Sequence, residues 1–278
     1  MSHEFIDALI HENIEAIKAV PKTDFHNHST FGTRIERVEK WAGTALQRPP
    51  TKMNGLGGML SYARQTLFPF INSRKGFEFT AEYAIVDAIE DGVKVLEVSF
   101  GTRFALFYPD GLKGFISFLD SLSAKYDGEI MLRPELGFIR EDFSSQELCS
   151  IARKCIETQF FYSIDLHGDE SASAPETFQT LFRQAKHHGM KLKAHVGEFE
   201  NAESIRHAAE VLELDAVQHG ISAADSLEIM KWLSDNKIKL NVCPTSNVML
   251  GLVEGLDSHP IRKLYDHGIV VTVNTDIS

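Results

Sequence analysis

MKLKAHVGEFENAESIRHAAEVLELDAVQHG, residues 190–220, reads as a strand, a helix and a second strand. Its outer segments, 190–197 and 216–220, are short apolar runs closed by glycine, as buried strands are. The middle segment, 201–213, opens on an Asn cap and repeats its apolar residues at helical spacing. Such a unit is one crossover of a parallel sheet, because parallel strands need a long connection that a helix normally supplies. Each strand ends on a histidine, His195 and His219, and a parallel sheet collects its strand ends on one side.

The same alternation extends outward in both directions. Strands are expected at TDFHNH after Pro21, Val93–Phe100, Ile130–Phe138, Phe160–His167, Ile238–Pro244 and Ile269–Asp276, making eight with the two above. Helices are expected at 114–126, 144–159, 174–189, 222–236 and 258–268, several opening on Ser or Asn. Eight strands with intervening helices favour a (β/α)8 TIM barrel over an open doubly wound sheet, and no glycine-rich dinucleotide fingerprint follows the first strand. The stretch Thr33–Thr80 is too long for a plain loop and reads as a helical insertion after the first strand, over the mouth of the barrel. It brings Arg48, Lys52 and Arg64 towards that opening. The last helix is missing after the eighth strand, so a homo-oligomer contact or a partner segment is expected to cover the barrel beyond Ser278.

Residues 1–278 read as a single barrel domain, with 43% apolar residues and enough length for a large core. A net charge of −11 leaves no basic surplus to meet phosphates, which excludes general nucleic-acid binding and anionic membrane surfaces. Cys149, Cys155 and Cys243 lack the spacing of a disulfide framework or a thiolate zinc knuckle, and a reducing compartment fits them. Phe5, Leu9, Ile10, Ile14 and Ile17 recur at helical spacing in an acidic N-terminal segment, the pattern of a surface helix and not of a secretory signal. Without an apolar run of the ~20 residues that cross a bilayer, a cytoplasmic protein is expected.

Polar residues cluster at the strand ends. His26 and His28 alternate along the first strand, so both imidazoles face one side, an arrangement suited to a borderline-soft cation. His195 is followed three residues later by Glu198, which places an imidazole and a proton carrier side by side. His219 closes the sixth strand and Asp276 the eighth. Read singly, these are surface histidines, a helix-capping Glu, a core His and a turn Asp; read together, they line one mouth.

HNH at 26–28, DLHGDE at 165–170, HVGE at 195–198, QHG at 218–220, CPTSN at 243–247, HPIRKLYDHG at 259–268 and VNTD at 273–276 together resemble the adenosine deaminase branch of the amidohydrolases, in that family's order. The resemblance implies one zinc ion per chain held by His26, His28, His195 and Asp276. It implies Glu198 as proton shuttle, His219 as the residue that orients and activates water, and Gly168 as a backbone N–H donor to a substrate ring nitrogen. Asp165, Asp169, Ser246 and Asn247 would hold ligands or loops from behind. The substrate implied is a small amino-heterocycle, a purine nucleoside, base or relative, that releases ammonia on hydrolysis.

The chain departs from the family where the purine would be read. Ile277 stands where a second Asp usually accepts a hydrogen bond from the ring, and Thr30 and Phe31 replace the Asp and Gly of nucleoside enzymes. Losing one buried polar contact costs ~1–3 kcal/mol, so a modified purine or another amino-heterocycle is expected over adenosine. Two other readings stay open. DFHNHS also suits a metal-dependent phosphoesterase with a multi-metal site, and the departures suit a non-catalytic purine-binding descendant. Metal counting separates the first of these, and a Glu198→Gln control separates the second.

Overall fold

A computed structural model describes residues 3–276. Eight parallel strands lie in sequence order: β1 (Lys22–His28), β2 (Val93–Gly101), β3 (Met131–Ile139), β4 (Ser163–His167), β5 (Lys191–Val196), β6 (Ala216–His219), β7 (Lys239–Val242) and β8 (Val271–Val273). The sheet curls until its ends meet. An isolated parallel bridge joins Asn27 to Asp276, with Asp276 N donating to His26 O at 2.8 Å and His28 N to Asp276 O at 3.3 Å. The chain is a (β/α)8 barrel with a short seam between first and last strands.

The strands are apolar on the helix-facing side and filled inside by a mixed layer. Leu96, Val98, Phe100, Leu136, Phe138, Ile164 and Leu166 pack outward against helices such as Arg74–Glu90 and Leu112–Lys125. Inside, below the site, Lys193 Nζ meets Glu97 at 2.6 Å, Glu135 at 2.5 Å and the Phe25 carbonyl at 3.1 Å. Burial works against this ammonium, yet the two carboxylates hold its pKa above the usual value. Ser163 donates to Glu135 at 2.7 Å. One cation thus ties β1, β2, β3 and β5 across the barrel floor, where an uncompensated charge is disfavoured.

The expected helices form, with caps where the sequence offers them: Ser145, Asn201 and Ser226 accept from backbone N–H groups three residues on. Three departures from expectation matter most for the barrel. The N-terminal helix is two helices, His3–Ile10 and Ile14–Ala19, because Glu12 turns left-handed and Asn13 caps the second. The insertion ends at about residue 73, since Arg74–Glu90 is the barrel's own helix, with Phe77, Ala81, Ala84 and Ile85 buried. The insertion proper contributes helices Ile35–Ala42, Gly55–Thr66 and Phe68–Ile71. β8 is three residues long, and its extension to Asp276 is only the bridge at the seam. No helix follows β8 among the described residues, and Val270 and Val273 beside it are 53% and 65% exposed. No helix in the described residues is long and apolar enough to cross a membrane.

Candidate metal and catalytic site

Four donor atoms converge at the carboxyl end of the barrel from β1, β5 and the seam. His26 Nε2 and His28 Nε2 lie 3.0 and 3.3 Å from His195 Nε2, and 3.5 and 3.4 Å from Asp276 Oδ1. A tetrahedral zinc site with bonds of about 2.0–2.1 Å keeps its donors roughly 3.3–3.4 Å apart. The observed separations straddle that value. Close approach of three imidazole nitrogens, with no proton to share among all of them, is unfavourable unless something positive lies between.

Three of the four candidate ligands are held from behind. His26 Nδ1 donates to the Asn241 carbonyl at 3.2 Å, and His195 Nδ1 to Asp165 Oδ1 at 3.2 Å, which leaves both Nε2 lone pairs facing the centre. Burial lowers the pKa of His26, His28 and His195, and so favours the neutral imidazole that binds metal. Ser246 Oγ donates to Asp276 Oδ2 at 2.5 Å. Backbone strain sits here too: His219 and Asp276 adopt φ of 62° and 61°, a region most side chains avoid.

Glu198 and His219 face each other beside this cluster, with Glu198 Oε1 3.3 Å from His219 Nδ1. Burial, with Asp276 and Glu170 nearby, holds the Glu198 carboxyl well above its usual pKa. A carboxyl in that state keeps its proton towards neutral pH. Burial takes the His219 imidazole down to about 3, so it stays neutral. Its tautomer follows from a chain of hydrogen bonds. Ile261 N donates to His259 Nδ1 at 3.1 Å, so His259 Nε2 carries the proton and donates to Asn247 Oδ1 at 3.2 Å. Asn247 Nδ2 then faces His219 Nδ1 at 3.1 Å and Glu198 Oε1 at 3.3 Å as a donor. His219 therefore accepts at Nδ1 and presents Nε2–H towards Asp276, whose Oδ2 lies 3.8 Å away.

The cavity above these residues holds about 450 Å³. Thr30, Phe31 and Gly168 line it, as do Leu56, Met59 and Arg64 of the insertion. Gly168 has φ of 100°, and a side chain there would collide with the Glu141 carboxylate. Arg48 is drawn away by Glu36 and Glu39 and lines a neighbouring cavity instead. Lys52 lines neither cavity. Asp169 is exposed and ties down its own loop, accepting from Ser171 N at 2.9 Å and Ser171 Oγ at 2.7 Å, without touching a ligand. Ile277 lies outside the described residues.

Three contributors were not singled out from the sequence. Glu170 accepts from the N–H groups of Gly197, Glu198 and Phe199 at 2.7, 3.0 and 2.9 Å, which fixes the loop that carries Glu198. His259 sets the His219 tautomer as described. His167 ends β4 beside the cluster, its ring 5.2 Å from that of His28. Glu170 and His259 stand inside DLHGDE and HPIRKLYDHG, so the motifs carried the signal without the roles. Cys149, Cys155 and Cys243 are all free and buried.

The family model for adenosine deaminase matches residues 129–277. A Treponema pallidum protein named as a candidate adenosine/adenine deaminase is 36% identical over 267 residues, covering 95% of this chain and 88% of its own. The adenosine deaminase of Clostridium acetobutylicum is 39% identical over 292 residues, covering 94% of this chain and 83% of its own. Among solved structures, the adenine deaminase of Arthrobacter aurescens superposes with a TM-score of 0.75 at 21% identity, over 93% of this chain and 82% of that one, a likeness of fold. The chain belongs to the adenosine deaminase family, hydrolases that act on carbon–nitrogen bonds.

Proposed function

We propose that this protein is a hydrolytic deaminase of a purine base, a purine nucleoside or a related amino-heterocycle, working with one zinc ion per chain. The observation that carries the reading is the convergence of His26, His28, His195 and Asp276 at tetrahedral spacing, with the buried Glu198 carboxyl alongside, its pKa raised by burial. When bound, the cation supplies the Lewis acidity that makes water a nucleophile near neutral pH. Glu198 gives its proton to the ring nitrogen next to the reacting carbon, so negative charge does not build up on the ring; as a carboxylate it then takes the proton left on the attacking oxygen and passes it to the amine, which leaves as ammonia. His219, fixed with Nε2–H facing Asp276, orients the attacking oxygen. Gly168 offers its N–H to a second ring nitrogen, while Phe31 and the insertion's apolar residues exclude water from one face of the heterocycle.

Relatives act on both adenosine and adenine by name, and this chain has Thr30 and Phe31 where sugar contacts are expected. A purine base or modified purine is accordingly preferred over adenosine. Ammonia release from adenine, adenosine and N6-substituted purines, with Glu198→Gln as control and metal counted per chain, tests the reading. Turnover of a base or modified purine above adenosine, lost in the control, with one metal per chain, is the expected result. Silence on every purine, or about three metals per chain, defeats it.

A further inference from the structure

Beside the metal ligands, the barrel wall has a notch whose polar atoms have no partner. Ser99 lies two residues before the end of β2 and is 4% exposed, and its Oγ makes no hydrogen bond. His167 ends β4, and its Nε2 is likewise enclosed and unbonded. Between them on β3 stands Gly137. A side chain there would begin 2.5 Å from Ser99 Oγ and 3.1 Å from His167 Nε2, so only glycine leaves the space open. Both Ser99 and His167 line the substrate cavity.

Leaving two buried polar atoms unmet is costly, and native structures seldom do so without a water, an ion or a ligand to meet them. Position decides which part of a substrate reaches them. The His167 ring is 5.2 Å from that of His28 and 5.7 Å from that of His195, so the notch lies directly against the candidate metal ligands, at the reacting end of the cavity. The notch therefore faces the ring itself and not a sugar at the mouth. His167 directly precedes Gly168, so a group in the notch sits on the ring carbon flanking the nitrogen that Gly168 holds. A serine hydroxyl both donates and accepts, and a neutral imidazole nitrogen does either according to tautomer. An amino group or an oxo group on that carbon satisfies both atoms at once.

We infer that Ser99 and His167 form a recognition notch for a second polar substituent on the heterocycle, an amino or oxo group at the position of purine C2. This rests on the deaminase reading above and names the substrate class more closely. A site built to bond such a group rejects the analogue that lacks it, because the analogue leaves the buried atoms unpaired.

Equilibrium binding of product-like bases tests the notch without needing turnover. Guanine carries the amino group at that carbon, xanthine the oxo group and hypoxanthine only hydrogen. The metal-loaded protein is expected to bind guanine or xanthine at least about tenfold more tightly than hypoxanthine. That ratio should fall towards one in Ser99→Ala, which removes a single oxygen, and in His167→Ala, with metal content per chain unchanged. A ratio near one in the unaltered protein, a ratio that survives both substitutions, or no binding of any base overturns the inference. Ammonia release from 2,6-diaminopurine and adenine separates the two readings: equal turnover of both sinks the notch and spares the deaminase. No turnover of either, with the binding ratio intact, sinks the deaminase and spares the notch.

Discussion

Glu198 is pulled in two directions, since burial and the charges of Asp276 and Glu170 favour its protonated form while the Asn247 amide favours its carboxylate. Burial wins, and the folded-state pKa lies well above the unfolded one. The sign for stability follows: the contribution is complete below the ordinary carboxylate range and is lost as pH rises through the raised value. For catalysis the same shift supplies a proton donor near neutrality, so log kcat/KM is expected to fall on the alkaline side of its pH profile. Glu170→Gln removes one of the charges that raise Glu198 and should move that limb towards lower pH; a limb that stays in place would assign it to another group. Asn247 gives a second test. In Asn247→Asp the donor facing His219 Nδ1 becomes an acceptor, which drives the proton to Nδ1 and strips it from Nε2. Turnover should drop at least about a hundredfold with metal retained, and nitrogen NMR of His219 should report the tautomer change. An unchanged tautomer would break the chain from His259.

At the level of elements, the insertion that roofs the cavity is tied to the barrel by an ionic clamp. Asp87, 4% exposed in its side chain on helix Arg74–Glu90, receives Arg34 at 3.1 Å and Arg37 at 2.6 Å, while Glu90 accepts from Arg34 Nη1 and Arg37 Nη2 and Asp91 from Arg34 Nη2. Removing the buried member leaves Arg34 and Arg37 only their more exposed partners Glu90 and Asp91, so Asp87→Ala should cost about 2 kcal/mol. The helix that the clamp holds, Ile35–Ala42, lines the neighbouring cavity, which shares Phe31, Met59 and Ile71 with the substrate cavity, so KM is expected to rise more than kcat falls; steady-state kinetics beside a thermal melt checks both. This clamp was not legible in the sequence, since Arg34 and Asp87 are far apart along the chain and only folding brings them together. The strands were legible because both faces are buried and their apolar runs stand out. β8 was over-read because its pairing with β7 thins past Val273, where only Asn274 N still reaches the Val242 carbonyl at 3.0 Å, while the Asn274 side chain, not the backbone, accepts from Phe25 N of β1 at 2.9 Å. The insertion's end was misplaced because Arg74–Glu90 is apolar on several sides, buried under the insertion as well as on the sheet, and no single stripe marks it as a barrel helix.

Over the whole molecule, the convergence of His26, His28, His195 and Asp276 was readable because strand ends meet in a barrel, whereas Glu170 and His259 act through hydrogen bonds that strand patterns do not encode. That convergence also makes the site part of the barrel's closure. β1 and β8 meet through a bridge and two backbone bonds, helped by Thr275 N donating to Asp24 at 3.4 Å, where other strand pairs share longer ladders. Val270 and Val273 beside the seam are exposed, so little packing from the described residues reinforces it. A cation bound by His26 and His28 on one side and Asp276 on the other spans this weak joint. Ligand linkage then predicts that metal at about a thousand times its Kd adds ~4 kcal/mol to stability. For a chain of this size that corresponds to a melting point lower by about 10 °C after chelation. Hydrogen exchange should locate the loss, with amides of 271–276 and 24–28 losing protection first and the β2–β4 ladder last. Uniform loss across all strands, or a melting point indifferent to chelator, would mean that the barrel closes by packing alone and that the four donors do no structural work.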